Sequence, residues 1–280
     1  MLRPALSTCG FALTDENFAG LAEAGIRDVE ISMKRPLYAD IDYADLARIS
    51  KANGIHLWSY HLPFAGVKDL DIAATDADIR RRTLEEQYEH MRRAADIGIS
   101  LFVIHPSSEP KSTEPDTRRE ELLCARESLS ALADCAERLG ARMAVEDLPR
   151  SCLGHTAAEM AELVGGDARL GVCFDVNHLL YDTHAEFLRT LGERIVTVHI
   201  SDYDYVNERH WLPGEGKIDW PALYSGLEAA GYTGPWLYEL GLAPEATISR
   251  PRDLTFADFV RNAGEIGRGA PITVIGTPKV

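Results

Sequence analysis

Eight short apolar runs, each followed by a polar loop and the start signals of a helix, constrain this 280-residue chain more than any other feature. The runs are Pro4–Cys9, Asp28–Ser32, Ile55–His61, Ser100–His105, Arg142–Asp147, Leu170–Asp175, Ile195–Ile200 and Pro235–Leu240. Several, such as Leu101-Phe102-Val103-Ile104, are continuously apolar, as strands covered on both faces must be. The segments between them have helical periodicity. In Thr117–Leu139, Leu122, Leu129, Leu132, Ala133, Ala136 and Leu139 recur at helical steps. Thr117 and Glu120 read as a capping box, and Gly140 falls where a left-handed C-terminal cap belongs. Similar starts stand at Thr156/Glu159, Thr183/Glu186 and Thr255/Asp258, and Asp42 and Asp219 can cap two more helices. Repeated βα units with right-handed crossovers make a parallel α/β sheet. Eight of them fill one (β/α)8 TIM barrel, a single domain over residues 1–280. An open doubly wound sheet is the alternative, but no G-x-G-x-x-G follows the first strand and no linker divides the chain.

The strands end in groups that bind metal or move protons: Glu30, His61, His105, Glu146, Asp175, His199 and Glu239. In a parallel barrel all these ends open on one face, where barrel active sites lie. Any one of them alone is more often a helix cap or an ion-pair partner. Several carboxylates converging in a partly desolvated cavity repel one another at several kcal/mol per buried charge. Few lysines or arginines stand at strand ends to offset them, so a divalent cation is expected.

Bulk properties narrow the ligand. A net charge of -15 opposes binding to a phosphate backbone or an anionic membrane. The basic clusters Arg80-Arg81-Arg82 and Arg92-Arg93 lie among acids and read as solvated helix faces. Five scattered cysteines without a C-x-x-C pair point to a reducing compartment. Met1–Phe18 lacks the apolar core of a signal peptide, and no stretch reaches membrane-spanning length. The expectation is a soluble, cytoplasmic protein.

Val145-Glu146-Asp147, Phe174-Asp175-Val176-Asn177-His178, Val198-His199-Ile200-Ser201-Asp202, the loop from Leu212 to Asp219, and Tyr238-Glu239 resemble the xylose-isomerase-like TIM-barrel superfamily, closest to its sugar phosphate isomerase/epimerase branch. The resemblance implies that Glu146, Asp175, His199 and Glu239 hold one divalent cation, Mn²⁺ first, with Mg²⁺, Co²⁺ or Zn²⁺ as alternatives. It implies a sugar or polyol substrate, enolised through an enediolate, with Glu146 and Glu239 as the acid and base on opposite faces. His178 contacts substrate in epimerase members. His61, His105, His210, Glu30 and Trp211 are further candidates for substrate binding, and Phe11, Trp58, Tyr60 and Phe64 for stacking on a sugar ring. No organic cofactor is implied beside the cation, and the resemblance leaves room for a homo-oligomer.

Three rivals remain. A lyase or dehydratase would share the enolisation step. A zinc phosphodiesterase of the endonuclease IV type would use His61, His105, Glu146, Asp175, His178, His199, Glu208, His210 and Glu239 for three ions, with Glu208 where that family has Asp. A non-catalytic sugar-binding relative would have no need of all four acidic and imidazole ligands.

Overall fold

Alternation along each strand explains the architecture. On the fifth run Ala144 and Glu146 face one way while Met143 and Val145 face the other; on the sixth, Cys173 and Asp175 alternate with Val172 and Phe174. A computed structural model describes residues 2–64 and 69–279. Its strands are β1 (Pro4–Ser7), β2 (Asp28–Ile31), β3 (His56–His61), β4 (Leu101–Ile104), β5 (Arg142–Glu146), β6 (Leu170–Asp175), β7 (Ile195–His199) and β8 (Trp236–Tyr238). They lie side by side in the order β7-β6-β5-β4-β3-β2-β1-β8, and every pair is parallel. The last seam is one bridge wide: Ile200 donates its N–H to Leu237 and accepts from Glu239. The result is a TIM barrel, as the run pattern predicts.

Helices α1 (Asp15–Ala24), α2 (Tyr43–Asn53), α3 (Ala77–Asp96), α4 (Pro115–Arg138), α5 (Ala157–Gly165), α6 (His184–Leu191), α7 (Trp220–Ala229) and α8 (Phe256–Gly267) cover the outside. The outward strand side chains pack against them in one continuous core that includes Val145, Phe174, Val198 and Phe259. A small second cluster, Leu101, Val103, Ala144 and Cys173 with Trp58 and Val196 against it, plugs the barrel interior. Above that plug the next inward positions at the ends of β3 to β7 are ionisable: His61, His105, Glu146, Asp175 and His199. None of the described helices is long and apolar enough to cross a membrane.

Most expected caps form. Asp42 and Asp219 accept from Asp45 N and Ala222 N, and Thr183 with Glu186 makes a full capping box. Each such cap contributes about 1 kcal/mol. Two differ from expectation. Helix α4 starts earlier than Thr117: Pro115 suits the first turn, and the Glu114 carboxylate caps it by accepting from Asp116 N and Thr117 N. At α5, Thr156 accepts from Glu159 N, but the Glu159 carboxylate turns instead to Arg118 and Gly154 N.

The long loop after β7 is tied down twice. Asp202 accepts from Gly214 N, Ile218 N and Trp220 Nε1 at 2.8, 3.2 and 2.9 Å. A Cβ at Gly216 would lie 2.3 Å from Asp202 Oδ1, so that position demands glycine. Glu215 and Arg250 form a buried ion pair at 2.7 Å, and Glu215 also accepts from Leu212 N and from Gly276 N in the C-terminal segment. That segment is held by a short antiparallel pair, β9 (Ile248–Ser249) with β10 (Thr277–Pro278). These clamps fix the part of the loop that carries Glu208 and His210.

Candidate metal centre

Three strands end on a candidate ligand: β5 on Glu146, β6 on Asp175 and β7 on His199, while Glu239 directly follows β8. One donor atom from each of these four residues lies within 4.8 Å of the others, and all four side chains are buried. Two further donor groups adjoin this one. His61 and His105 share Glu146 with it, and His178 joins Glu208 and His210 at the mouth. Cys173 offers its sulfur beside Glu146 and His199 from below.

The imidazole rings are oriented for cation binding. His61 Nδ1 lies 2.9 Å from the Leu62 carbonyl, His178 Nδ1 2.8 Å from that of Asp147, and His210 Nδ1 3.0 Å from that of Glu239. A carbonyl only accepts, so each Nδ1 carries the proton and Nε2 keeps its lone pair. The His61 lone pair then faces Glu146 Oε2 at 2.8 Å, and that of His178 faces Glu208 Oε2 at 3.3 Å and Asp175 Oδ2 at 3.5 Å. His199 is reversed. Its Nε2 meets Glu30, and Nδ1 points at Glu239 Oε2 (3.2 Å), Glu146 Oε1 (3.3 Å) and Asp175 Oδ2 (3.9 Å). Lone pairs aimed at carboxylates repel unless a proton or a cation lies between them.

The protonation equilibria carry the same strain. Burial opposes a second proton on these rings, yet Glu146 drives His61 up, Asp175 and Glu208 drive His178 well up, and Cys173, Glu239 and Glu30 do so for His199. Burial, with Glu239 and Glu146 beside it, pushes the Asp175 carboxyl well above its ordinary range, against the pull of His178. Burial also resists ionisation of Glu146, but His199 and His105 hold it well below that range. Asp175 Oδ2 and His199 Nδ1 have no hydrogen-bond partner at all. An orphaned pair of buried donor atoms amid carboxylates is what a divalent cation satisfies, so the residues fit a metal ion.

Above the donors lies a cavity of about 240 Å³, lined by Glu146, His178, Glu208, His210 and Glu239 among others. Phe64 stacks on His105 with ring centroids 4.3 Å apart and forms one wall. At the mouth Arg150, in a left-handed conformation (φ 55°), makes two 2.6 Å bonds to Glu109 and one of 3.0 Å to Glu208.

Several expected substrate contacts are placed elsewhere. Glu30 is fully buried beneath His199, hydrogen-bonded to Ser59, and cannot reach the cavity. Trp211 is buried with its Nε1 on Thr247, because its backbone pairs with Asp202 and turns the ring under the loop. Trp58 lies in the barrel plug with Nε1 on Thr197, Tyr60 faces outward to Tyr43, and Phe11 packs on Phe256. His61 is wholly buried behind Glu146. Of the expected groups, His105, His178, His210 and Phe64 line the cavity. Arg150 and Glu109 were not anticipated, since neither stands at a strand end or in a periodic pattern.

The family model described as "Xylose isomerase-like TIM barrel" matches residues 18–254. Among curated proteins, an uncharacterized protein of Methanocaldococcus jannaschii is 29% identical over 182 residues, 62% of this chain and 61% of that one. A probable endonuclease 4 of Thermoplasma acidophilum is 26% identical over 168 residues, 54% of this chain and 56% of that one. The chain thus spans about three-fifths of the length of these relatives. Among solved structures, a D-tagatose 3-epimerase-like protein superposes with a TM-score of 0.78 at 22% identity, covering 96% of both chains. A D-psicose 3-epimerase crystallised with D-fructose gives 0.77 at 20% identity, covering 96% of this chain and 99% of that one.

Proposed function

The chain belongs to the xylose isomerase-like TIM-barrel family, and from that premise we propose that it is a divalent-metal-dependent isomerase or epimerase of a sugar, keto-sugar or polyol. The observation that carries this reading is the placement of Glu146 and Glu239. Both border the cavity, and both converge on one donor group from strand positions well apart on the barrel. The fold shared with sugar 3-epimerases supports it.

Glu146, Asp175, His199 and Glu239 would hold the cation. Three carboxylates and one imidazole are a mostly hard set, which suits Mn²⁺ first and then Mg²⁺, Co²⁺ or Zn²⁺. When bound, the cation supplies Lewis acidity toward a carbonyl and its neighbouring hydroxyl. The rest falls to the chain. Coordination would hold Glu146 and Glu239 ionised against burial, so each carboxylate is available as a base. One takes the proton from the carbon beside the carbonyl; the other, once it has taken a proton from solvent, delivers it to the second face, which inverts that carbon, and the first then releases its proton to solvent. Return on the same face to the neighbouring carbon, the former carbonyl carbon, gives aldose–ketose isomerisation, and loss of a β leaving group from the same enolised substrate gives a lyase. Phe64 offers an apolar wall to a sugar ring, and His178 and His210 offer polar contacts at the mouth.

A second reading, a phosphodiesterase like endonuclease 4, is favoured by one observation: the three adjoining donor groups could hold three ions. The rim opposes it. Arg150 is already committed to Glu109 and Glu208, and the chain carries -15, so a polyanionic backbone meets a negative mouth.

Proton exchange in D₂O tests the choice. The Mn²⁺-supplemented protein is incubated with ketoses, keto-sugars and inositol derivatives, and products are followed by NMR after the cation is removed. Deuterium at a carbon beside a carbonyl, absent when chelator is added first, is the expected result. No exchange with any of them, together with three bound ions and cleavage at abasic sites, would move the assignment to the second reading.

A further inference from the structure

Glu30 is a carboxylate that neither the cavity nor the ligand group uses, yet it is 0% exposed at the centre of the barrel. It ends no surface ion pair. Its Oε2 accepts from Ser59 Oγ at 2.8 Å, the residue beside it in the β2–β3 register. His199 Nε2, 169 residues away on β7, lies 3.0 Å from Oε1 and 3.2 Å from Oε2. The strand order puts β1 and β8 between β2 and β7, so this contact reaches across the barrel interior rather than along a seam.

The geometry points to Glu30 as the positioning residue that fixes His199 as a ligand. The inference rests on the metal-centre reading of Glu146, Asp175, His199 and Glu239. An imidazole carries one proton on either nitrogen, and the partner of one nitrogen decides the chemistry of the other. A carboxylate on Nε2 holds the proton there. That leaves Nδ1 as a bare lone pair, and Nδ1 is the atom without a hydrogen-bond partner that faces Glu146, Asp175 and Glu239. The carboxylate also raises the basicity of the ring and stops its rotation. Without Glu30 the proton can sit on Nδ1, and the ring is then no ligand. Ser59 anchors the carboxylate, and full burial keeps water from competing for Nε2.

The test uses the full chain, stripped of metal and titrated calorimetrically with Mn²⁺. Glu30→Ala is expected to weaken binding about 10–100-fold, the usual effect of losing such a partner. Glu30→Gln keeps shape and an acceptor oxygen but no charge, so it should fall in between; it serves as the readout if the alanine variant does not fold. Ser59→Ala removes the anchor but not the contact, and should leave affinity within about twofold of the parent by the same reasoning. In the Zn²⁺-loaded chain, ¹⁵N NMR should show the His199 Nε2 proton hydrogen-bonded and slow to exchange with solvent, a protection lost in Glu30→Ala. Parent-like affinity in both Glu30 variants, or an equal loss in Ser59→Ala, would overturn the positioning role while leaving the metal centre standing. A parent chain that binds no Mn²⁺ would overturn both.

Discussion

Asp175→Asn should make the metal-free protein more stable and the metal-loaded protein no more stable than that. Asp175 Oδ1 accepts from Asn177 N at 2.8 Å, but Oδ2 is buried without a partner, 3.5 Å from His178 Nε2 and 3.9 Å from His199 Nδ1. An amide nitrogen in place of Oδ2 would present a donor to ring atoms that otherwise face only carboxylates. Relieving one orphaned buried acceptor is worth about 1–3 kcal/mol. Unfolding entropy near 2.1 cal/mol/K per residue gives roughly 0.6 kcal/mol/K for a chain of this size, so Tm in EDTA should rise by about 2–5 °C. The parent behaves the opposite way. Mn²⁺ at a hundred times its Kd stabilises by about 2.7 kcal/mol, or roughly 4–5 °C, whereas the variant lacks a ligand and should gain little. Thermal unfolding of both proteins, each in EDTA and in Mn²⁺, measures the four values. A variant no more stable than the parent in EDTA would refute the account of Asp175 as a strained ligand. A full Mn²⁺ shift retained by the variant would move the metal elsewhere.

Three more outcomes follow from the same geometry. Glu146→Gln and Glu239→Gln should each lower solvent exchange by about 10²–10⁴-fold with the fold kept, as judged by circular dichroism; full activity in either would remove it from proton transfer. Arg250→Ala strands the Glu215 carboxylate and should cost about 3–5 kcal/mol in urea unfolding, whereas a loss under 1 kcal/mol would mean the clamp is solvated. Acid should also act through Glu159. Burial resists its ionisation, but His155, Arg118 and Gly154 N hold its carboxyl at about 2, below its unfolded value. That contribution, up to about 3 kcal/mol, is complete above the unfolded pKa and is lost as pH falls toward 2, so Glu159→Gln should flatten the acid limb of stability between pH 5 and 2.

The barrel and the convergence of Glu146, Asp175, His199 and Glu239 were legible because strand alternation is a strict rule. An inward residue at the end of a buried parallel strand can only face the barrel mouth, and the apolar run shows where the strand ends. Glu146, Asp175 and His199 are placed by that rule with no knowledge of contacts. The same rule misjudged Glu30. It faces inward as expected, but the contacts of β2 leave it beneath His199, and depth along the barrel axis is invisible in a one-dimensional pattern. Tyr60 and Trp58 lie away from the cavity for a related reason, whereas Phe64 lines it. Tyr60 follows Ser59 by one residue, so it must face the helices when Ser59 and His61 face in, and Trp58 is drawn into the plug beside the bulge in the β2–β3 register.

The loops obey a different logic. Arg150 meets Glu109 and Glu208 across 41 and 58 residues of chain, and no periodicity relates them. What brings them together is the backbone between, above all the loop after β7, whose path is set by Asp202 and Glu215 accepting main-chain N–H groups. Those two acids stand in the segments that carry the family resemblance, so it is natural to suspect them of chemistry. Their geometry argues otherwise: each spends its oxygens on amides, an indole or a guanidinium, with none turned to the cavity. Their work is to hold Glu208 and His210 over the mouth. A motif in such a barrel therefore mixes residues that meet the substrate with residues that shape the loop, and only the direction of each carboxylate tells them apart.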